Sequence, residues 1–380
     1  MRRGIVIAAL CLVATTGCGA ASGEQGVHGN PHRVFKIALA MSYVGNDWQI
    51  EAKNLVNAEA KTPPYNHEVK LDNYVAGATG AGGADVERQI EQMQQMIAKG
   101  YDAIITFPIS PTALNPVIKQ ACDKGVVVIA YDGEVTEPCA YNVHINQFAA
   151  GKLTAEWLAR ALHGKGKIVE ANGVPGTSVD TQRRAGAAAV WKKNPGIKVV
   201  AEFAGLWDQA DTQQGMSRIL GARRDITGVW AQVGYGILQA YHAAHRKLVP
   251  TVGESENGFR AAMADGSVNG ISYGSPPYSG AYALKEAVAI LQGRRMPKLM
   301  TLPLPLNTRK QLHRCTDVAK GCNVFPAAKA PSTGFFADFY EKRLVPELCL
   351  SAAVSADPCP GQRAKPPVGH SFPANTTSRA

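Results

Sequence analysis

Between Ile90 and Gly133 the chain runs IEQMQQMIAKGYDAIITFPISPTALNPVIKQACDKGVVVIAYDG, which reads twice in succession as helix, glycine, buried strand and loop. Ile90, Met93 and Ile97 share one helical face and run into Gly100, a helix stop. Ala103, Ile104 and Ile105 then form a short apolar run that ends in a Pro/Ser loop. Leu114, Val117, Ile118 and Ala121 line the next helical face, Gly125 stops it, and 126–131 is again an apolar run. Strands that are apolar on both faces and linked through helices pair in parallel, because a parallel neighbour is reached only by a crossover of that length. The segment therefore fixes a parallel sheet, and it delivers Asp132 and Gly133 at a strand's carboxyl end. That is the side on which open α/β sheets take ligands.

The alternation extends both ways. Before it come a buried strand at 34–41, an amphipathic helix at 48–60, an alternating strand at 68–74 and a helix from Asp85. The glycine-rich stretch 77–83 lacks both the GK[ST] ending and the GxGxxG spacing of phosphate loops, and is expected to be a mobile loop. After it come a strand at 141–145, a helix at 148–162, the turn Gly164-Lys165-Gly166 and a strand at 167–171. Helices at 181–193, 210–220, 237–244, 259–264 and 280–291 then alternate with strands at 198–203, 228–232, 248–253 and 268–273, followed by an extended run at 299–306. With 380 residues, 46% hydrophobic and 18% charged, the chain can bury two cores. The expected fold class is α/β, two lobes each built on a doubly wound parallel sheet.

Both ends depart from this pattern. Met1-Arg2-Arg3, an apolar stretch at 5–13 and Thr15-Thr16-Gly17-Cys18 read as an export signal, too short for the roughly 20 residues a membrane span needs. Gly17-Cys18 is how a bacterial lipoprotein signal ends, with Cys18 acylated, although Thr15 stands where Leu is usual; plain cleavage near Ala20 or Ala21 is the alternative. The expected location is the periplasm or outer cell-envelope surface, with 19–32 as a polar tether. Beyond the leader lie Cys122, Cys139, Cys315, Cys322, Cys349 and Cys359, an even set that reads as disulfides after export. Neighbour pairing gives Cys122–Cys139, Cys315–Cys322 and Cys349–Cys359, but the spacing does not choose among the connectivities. His313, Cys315 and Cys322 lack CxxC spacing and a fourth ligand, so no metal is expected. Residues 315–380 read as a Cys/Pro-rich extension with one helix at 335–344 and a disordered tail. The net charge of +10, or +8 without Arg2 and Arg3, is scattered and lacks aromatic interleaving, so no nucleic acid is expected.

The phrases KIALAMSYVGNDW, IEQMQQMIAKGYDAIITFPIS, GVVVIAYDG, GKGKIVEANGVPGTSVDTQRRAG and GVWAQ, in that order, resemble the ribose-binding-protein type of periplasmic solute receptor of sugar ABC importers. The likeness runs from about Val34 to Leu306. It implies the type 1 periplasmic binding fold, in which two lobes joined by three crossings clamp a ligand by hinge closure and present it to a permease with its ATPase. The crossings are expected near Ile145, Gly274 and Pro297. The first lobe is then 33–145 with 275–297, the second 146–274 with 298–314, following a leader at 1–18 and a linker at 19–32. The protein is expected to be a monomer with no cofactor, tethered to the membrane through its lipid.

Carried over residue by residue, the resemblance places Asn46 and Trp48 in the first ligand loop, Asp132 as a strand-end carboxylate and Arg183 as the second lobe's contribution. Trp207 falls where a second aromatic ring is usual. Three of them have a plainer reading: Trp48 as a core aromatic, Asp132 as a helix-cap or turn aspartate and Trp207 as a helix-start packing residue. Where ribose-like binders carry Asn-Asp this chain has Val233-Gly234-Tyr235, the next strand end reads Gly253-Glu254-Ser255-Glu256, Ser275 replaces a crossing Gln, and Gly133 replaces an Arg. Glu254, Glu256 and Tyr235 are the candidate replacements, and Ser255 and Ser275 stand with them among the expected ligand-binding positions. A buried polar group without a partner costs about 1–3 kcal/mol, so the ligand is expected to be a small sugar or sugar-like solute other than ribose, or else a more aromatic or apolar molecule. Gly253-Glu254-Ser255-Glu256-Asn257 lacks the last glycine of a nucleophile elbow and there is no HExxH, so no enzyme is expected. A sensory receptor of the same fold is the remaining alternative to transport.

Overall fold

The computed structural model describes residues 33–77, 85–316 and 322–326. Cys18, the leader and tether, Cys349, Cys359, the 335–344 helix and the tail lie outside the described residues. The first lobe begins β1 (Phe35–Met41), α1 (Asp47–Ala60), α2 (Tyr65–Glu68), β2 (Val69–Val75), α3 (Val86–Ala98), β3 (Ala103–Phe107), α4 (Asn115–Asp123), β4 (Val127–Tyr131) and β5 (Tyr141–His144). The second contains α5 (Gln147–Ala161), β6 (Gly166–Asn172), α6 (Ser178–Lys193), β7 (Ile197–Ala204), α7 (Gln209–Ala222), β8 (Gly228–Ala231), α8 (Tyr235–Ala243), β9 (Thr251–Glu254), α9 (Asn257–Asp265) and β10 (Gly270–Tyr273). The chain then returns through α10 (Ser279–Leu291), β11 (Leu299–Thr301) and β12 (Leu306–Thr308).

Each lobe carries a 6-stranded sheet, ordered β2-β1-β3-β4-β5-β11 in one and β7-β6-β8-β9-β10-β12 in the other. The strand order reverses next to β1 and next to β6, so each lobe has its ligand-binding switch point at the carboxyl end of those strands. Period-two alternation sorts the first core: Ile37, Leu39 and Met41 face α1 and α10, whereas Ala38 and Ala40 face the Met93, Met96 and Leu114 side. The outer strand β2 is half-buried, as a sheet edge should be.

The run 299–306 is not one strand. Leu299–Thr301 pairs in parallel with β5 in the first sheet, and Leu306–Thr308 pairs antiparallel with β10 in the second. Pro303 and Pro305 lie between and offer no N–H to either ladder. The third crossing therefore lies at 302–305 and not near Pro297, and 298–301 belongs with the first lobe. The other crossings separate β5 from α5 and β10 from α10.

Side-chain caps set several helix starts. Asn46 Oδ1 accepts from Gln49 N at 2.9 Å, Asn146 Oδ1 from Ala149 N at 2.8 Å, Thr177 Oγ1 from Asp180 N at 3.2 Å and Asp208 Oδ1 from Asp211 N at 2.9 Å. The Thr177 cap starts α6 at Ser178, earlier than the apolar pattern alone suggests, and brings Val179 and Arg183 to the lobe interface. α5 and α6 meet backbone to backbone. A Cβ on Gly151 would lie 1.9 Å from Arg183 O, and one on Gly186 2.2 Å from Phe148 O.

Two disulfides occur among the described residues, Cys122–Cys139 and Cys315–Cys322. Residues 322–326 dock on α9 of the second lobe: Asn257 Nδ2 donates to Phe325 O at 3.0 Å and its Oδ1 accepts from Phe325 N at 2.8 Å. Cys322 and Val324 are buried there.

Candidate functional site

Strand ends from both lobes enclose a cavity of about 260 Å³. From the first lobe come Tyr43, Asn46, Asp47, Trp48 and Gln49 after β1, Phe107 closing β3, and Asp132 after β4. From the second come Val179 and Arg183 on α6, Trp207 and Asp208 after β7, Val233 after β8, and Glu254 and Glu256 around the end of β9; Ser275 belongs to the second crossing. The volume falls just below the about 300 Å³ at which ordinary small-molecule pockets begin, so the space suits one small ring.

Asp132 and Arg183 meet through a side chain of neither expectation nor motif. Gln147, the first residue of α5, donates from Nε2 to Asp132 Oδ1 at 3.1 Å and accepts from Arg183 Nε on Oε1 at 2.8 Å. Ser275 Oγ also donates to Asp132 Oδ1. Arg183 is 1% exposed, places Nη2 2.8 Å from Glu254 Oε1, donates from Nη1 to Gln232 Oε1 at 3.4 Å, and lies over the Tyr273 ring. Gln232 in turn accepts from Trp207 Nε1 at 2.8 Å and donates to Asp180 Oδ1 at 2.7 Å. Asp132 holds a left-handed backbone, φ 58°, a conformation that aspartate tolerates better than most residues and that turns its carboxylate off the strand end.

The aromatic walls are equally fixed. Trp48 packs against Phe107 and Tyr131 with ring centroids 5.9 and 6.5 Å away, and its Nε1 donates to Ser275 O at 2.7 Å. Trp207 has φ 55° and lies on Gly173, where a Cβ would stand 2.2 Å from its ring. Asn46 Nδ2 donates to Trp207 O at 3.2 Å, and Ser178 Oγ accepts from Glu134 N at 2.7 Å, so the lobes touch on both sides of the cavity.

Burial dominates the electrostatics. It raises the Asp132 carboxyl above the usual range although Arg183 pulls the other way, and it pushes Glu254 up to about 7 against the same guanidinium. Glu256 rises to about 8 through burial despite accepting backbone N–H bonds from Tyr235 at 2.9 Å and Gly234 at 2.7 Å. Burial, then the Asp132 charge, holds the Tyr43 phenol far above its ordinary value.

Of the residues singled out from the sequence, Asn46, Trp48, Asp132, Arg183, Trp207, Glu254 and Ser275 line the cavity. Tyr235 and Ser255 do not. Tyr235 packs with Leu238, Phe259, Met263 and Val268, because helix α8 begins with it and turns its ring toward α9. Ser255 is fully buried, donates to Tyr273 O at 2.6 Å and accepts from Arg260 Nη2 at 2.9 Å. Tyr43, Gln49, Gln147 and Gln232 also belong to the site and are not among the residues expected from the sequence. Gln232 carries the same signal as Asp132, a polar residue closing an apolar strand; Gln147 carries none beyond its place after a crossing.

Comparison with known proteins agrees with this architecture. A family described as "Periplasmic binding protein domain" matches residues 37–295. A xylitol-binding protein of Mycolicibacterium smegmatis is 30% identical over 243 residues, 63% of this chain and 65% of that protein, so the match spans just under two thirds of the relative's length. The ribose import binding protein of Bacillus subtilis is 23% identical over 280 residues, 73% of this chain and 88% of that one. An ABC transporter solute-binding protein from Thermobispora bispora superposes with a TM-score of 0.67 at 27% identity, covering 73% of this chain and 86% of its own. The family match runs from β1 to just past α10 and takes in every strand end that walls the cavity, and the chain belongs to the periplasmic binding protein family.

Proposed function

We propose that this protein is the exported solute-binding component of an ABC importer, which takes up a small sugar or sugar-like polyol between its lobes and hands it to a membrane permease with its ATPase. The observation that carries this reading is the join of Asp132, Gln147 and Arg183, in which a carboxylate of one lobe and a guanidinium of the other share one amide at the cavity wall. Closing the lobes assembles that group and opening separates it, which is what a receptor read by its conformation requires. Trp48 and Trp207 supply flat apolar walls for the face of a ring, and the ligand is bound without being transformed. Cys18 would tether the mature chain to the envelope; among the described residues no helix is long and apolar enough to cross a membrane. The alternative, a sensor that presents the same ligand to a signalling partner, is separated by uptake in cells lacking the gene: lost uptake supports transport, and intact uptake with lost induction supports sensing.

A thermal-shift screen of the mature protein against pentoses, hexoses, their alditols and cyclitols tests the reading directly. A true ligand at a hundredfold excess over its dissociation constant stabilises by about 2.7 kcal/mol. Asp132→Asn and Trp48→Ala are each expected to weaken that ligand at least tenfold by calorimetry. Unchanged affinity in both variants places the site elsewhere, and turnover of the ligand would overturn the binding-only reading.

A further inference from the structure

The charged groups that wall the cavity are unbalanced. Asp47, Asp132, Asp208, Glu254 and Glu256 line it, five acidic side chains against the single guanidinium of Arg183. Burial holds Glu254 up to about 7 and Glu256 up to about 8, so that these two carry only part of their charge at neutral pH. This acidity is local, since the whole chain carries a formal charge of +10. Arg183 does not correct it: Glu254 holds one end of the fork, and Gln147 and Gln232 accept from the rest of it. A second buried guanidinium, Arg260, sits behind the wall on Ser272, Ser255 and the Asn323 carbonyl and does not line the cavity.

Hydrogen bonding is unbalanced in the same direction. The Trp48 and Trp207 indoles, the Asn46 amide and the Ser275 hydroxyl all donate to the protein itself. Acceptors are left over. Among the described residues Asp132 Oδ2 and Glu254 Oε2 have no hydrogen-bond donor. Gln49 Oε1, on a side chain 1% exposed, is buried at the cavity wall without a partner among the described residues. A neutral hydroxyl brings one donor with two acceptor positions, whereas an ammonium brings three donors, no acceptor and the missing charge. An anionic ligand would add its charge to carboxylates that already repel one another. Burial is what raises Glu254 and Glu256, and it does so in Glu254 although Arg183 stands beside it.

We propose that the solute is a small polyhydroxylated ring carrying a protonated amine, an amino sugar or amino cyclitol, with its ammonium seated on Asp132 Oδ2 and Glu254 Oε2. The assignment rests on the sugar-receptor reading above and sharpens it. The ring lies between the tryptophan walls, and its hydroxyls donate to the Gln49 and Glu256 side of the cavity.

Isothermal calorimetry at pH 7 with matched triads is the test: glucose, glucosamine and glucuronate; galactose, galactosamine and galacturonate; and myo-inositol beside an inositol with one hydroxyl replaced by an amine. The aminated member is expected to bind at least tenfold more tightly than its neutral counterpart in at least one set, and the uronates not at all. Neutral members that equal or exceed the aminated ones in every set in which anything binds overturn the amine assignment while leaving a sugar receptor. A uronate that binds most tightly overturns it as well. Silence across the whole panel, with a neutral solute found in the thermal-shift screen above, overturns the amine assignment and leaves the sugar receptor; silence in both removes the two readings together. Glu254→Gln and Asp132→Asn are each expected to cut the aminated-to-neutral affinity ratio at least tenfold, with the thermal transition of the ligand-free variant as the check on folding. A ratio that survives in both folded variants overturns the proposed seat.

Discussion

Gln147 shows what a single amide can do that its relatives in shape cannot. It donates to Asp132 and accepts from Arg183, and no carboxylate or hydrocarbon of that size does both. Gln147→Glu sets a third negative group against Asp132, and Gln147→Leu leaves both partners short of a bond; calorimetry is expected to show at least a tenfold loss of ligand affinity in each. An affinity within twofold of the native protein in both variants would sink the bridging role. Asp132 and Arg183 were legible in the sequence because one closes an apolar strand and the other sits in a phrase that resembles a known family. Gln147 was not, because a polar residue opening a helix looks the same whether it faces water or a guanidinium. Tyr235 was misread for a related reason: the aromatic ring follows a strand end, yet the start of α8 aims it into the Phe259 cluster.

The α5–α6 pair is the element that carries Arg183, and its glycines decide where that side chain stands. Gly151→Ala would set a methyl group 1.9 Å from a main-chain oxygen, where no flexible side-chain tip can yield. The better helix propensity of alanine, about 1 kcal/mol, does not offset an overpacking cost of about 1–3 kcal/mol together with the separation of the two helices. Urea denaturation is expected to show a net destabilisation, and ligand affinity should fall with it because Arg183 moves; a variant as stable and as tight as the native chain would refute the contact's importance. Most elements were legible from period and glycine stops alone. The run at 299–306 was not, because an extended apolar stretch does not state which sheet it joins; only the pairing partners β5 and β10 divide it.

At the scale of the molecule, buried carboxyls set the response to pH. Burial holds Glu254 up to about 7, facing Arg183 and Asp132, and Glu256 up to about 8, facing Glu254 and Asp47. Glu286 on α10 is held up to about 8, with Lys298 opposing and both oxygens lacking partners among the described residues. In the unfolded chain such groups release their protons near about 4.3. The folded state therefore keeps more protons through the interval, and the contribution, complete below that value, is lost as pH rises through about 7 to 8. Thermal denaturation of the ligand-free protein should show a transition temperature that falls from pH 5 to pH 8 and then levels, with Glu286→Gln flattening part of the slope; a steady rise over that range would contradict it. The last crossing limits motion as well as connecting the lobes. The chain leaves the first sheet at Thr301 and enters the second at Leu306, pinned by strand pairing on both sides. Five residue steps reach at most about 18 Å when fully drawn out. The two lobes are thus on a short leash: whatever else moves, one edge of each sheet stays within that span of the other.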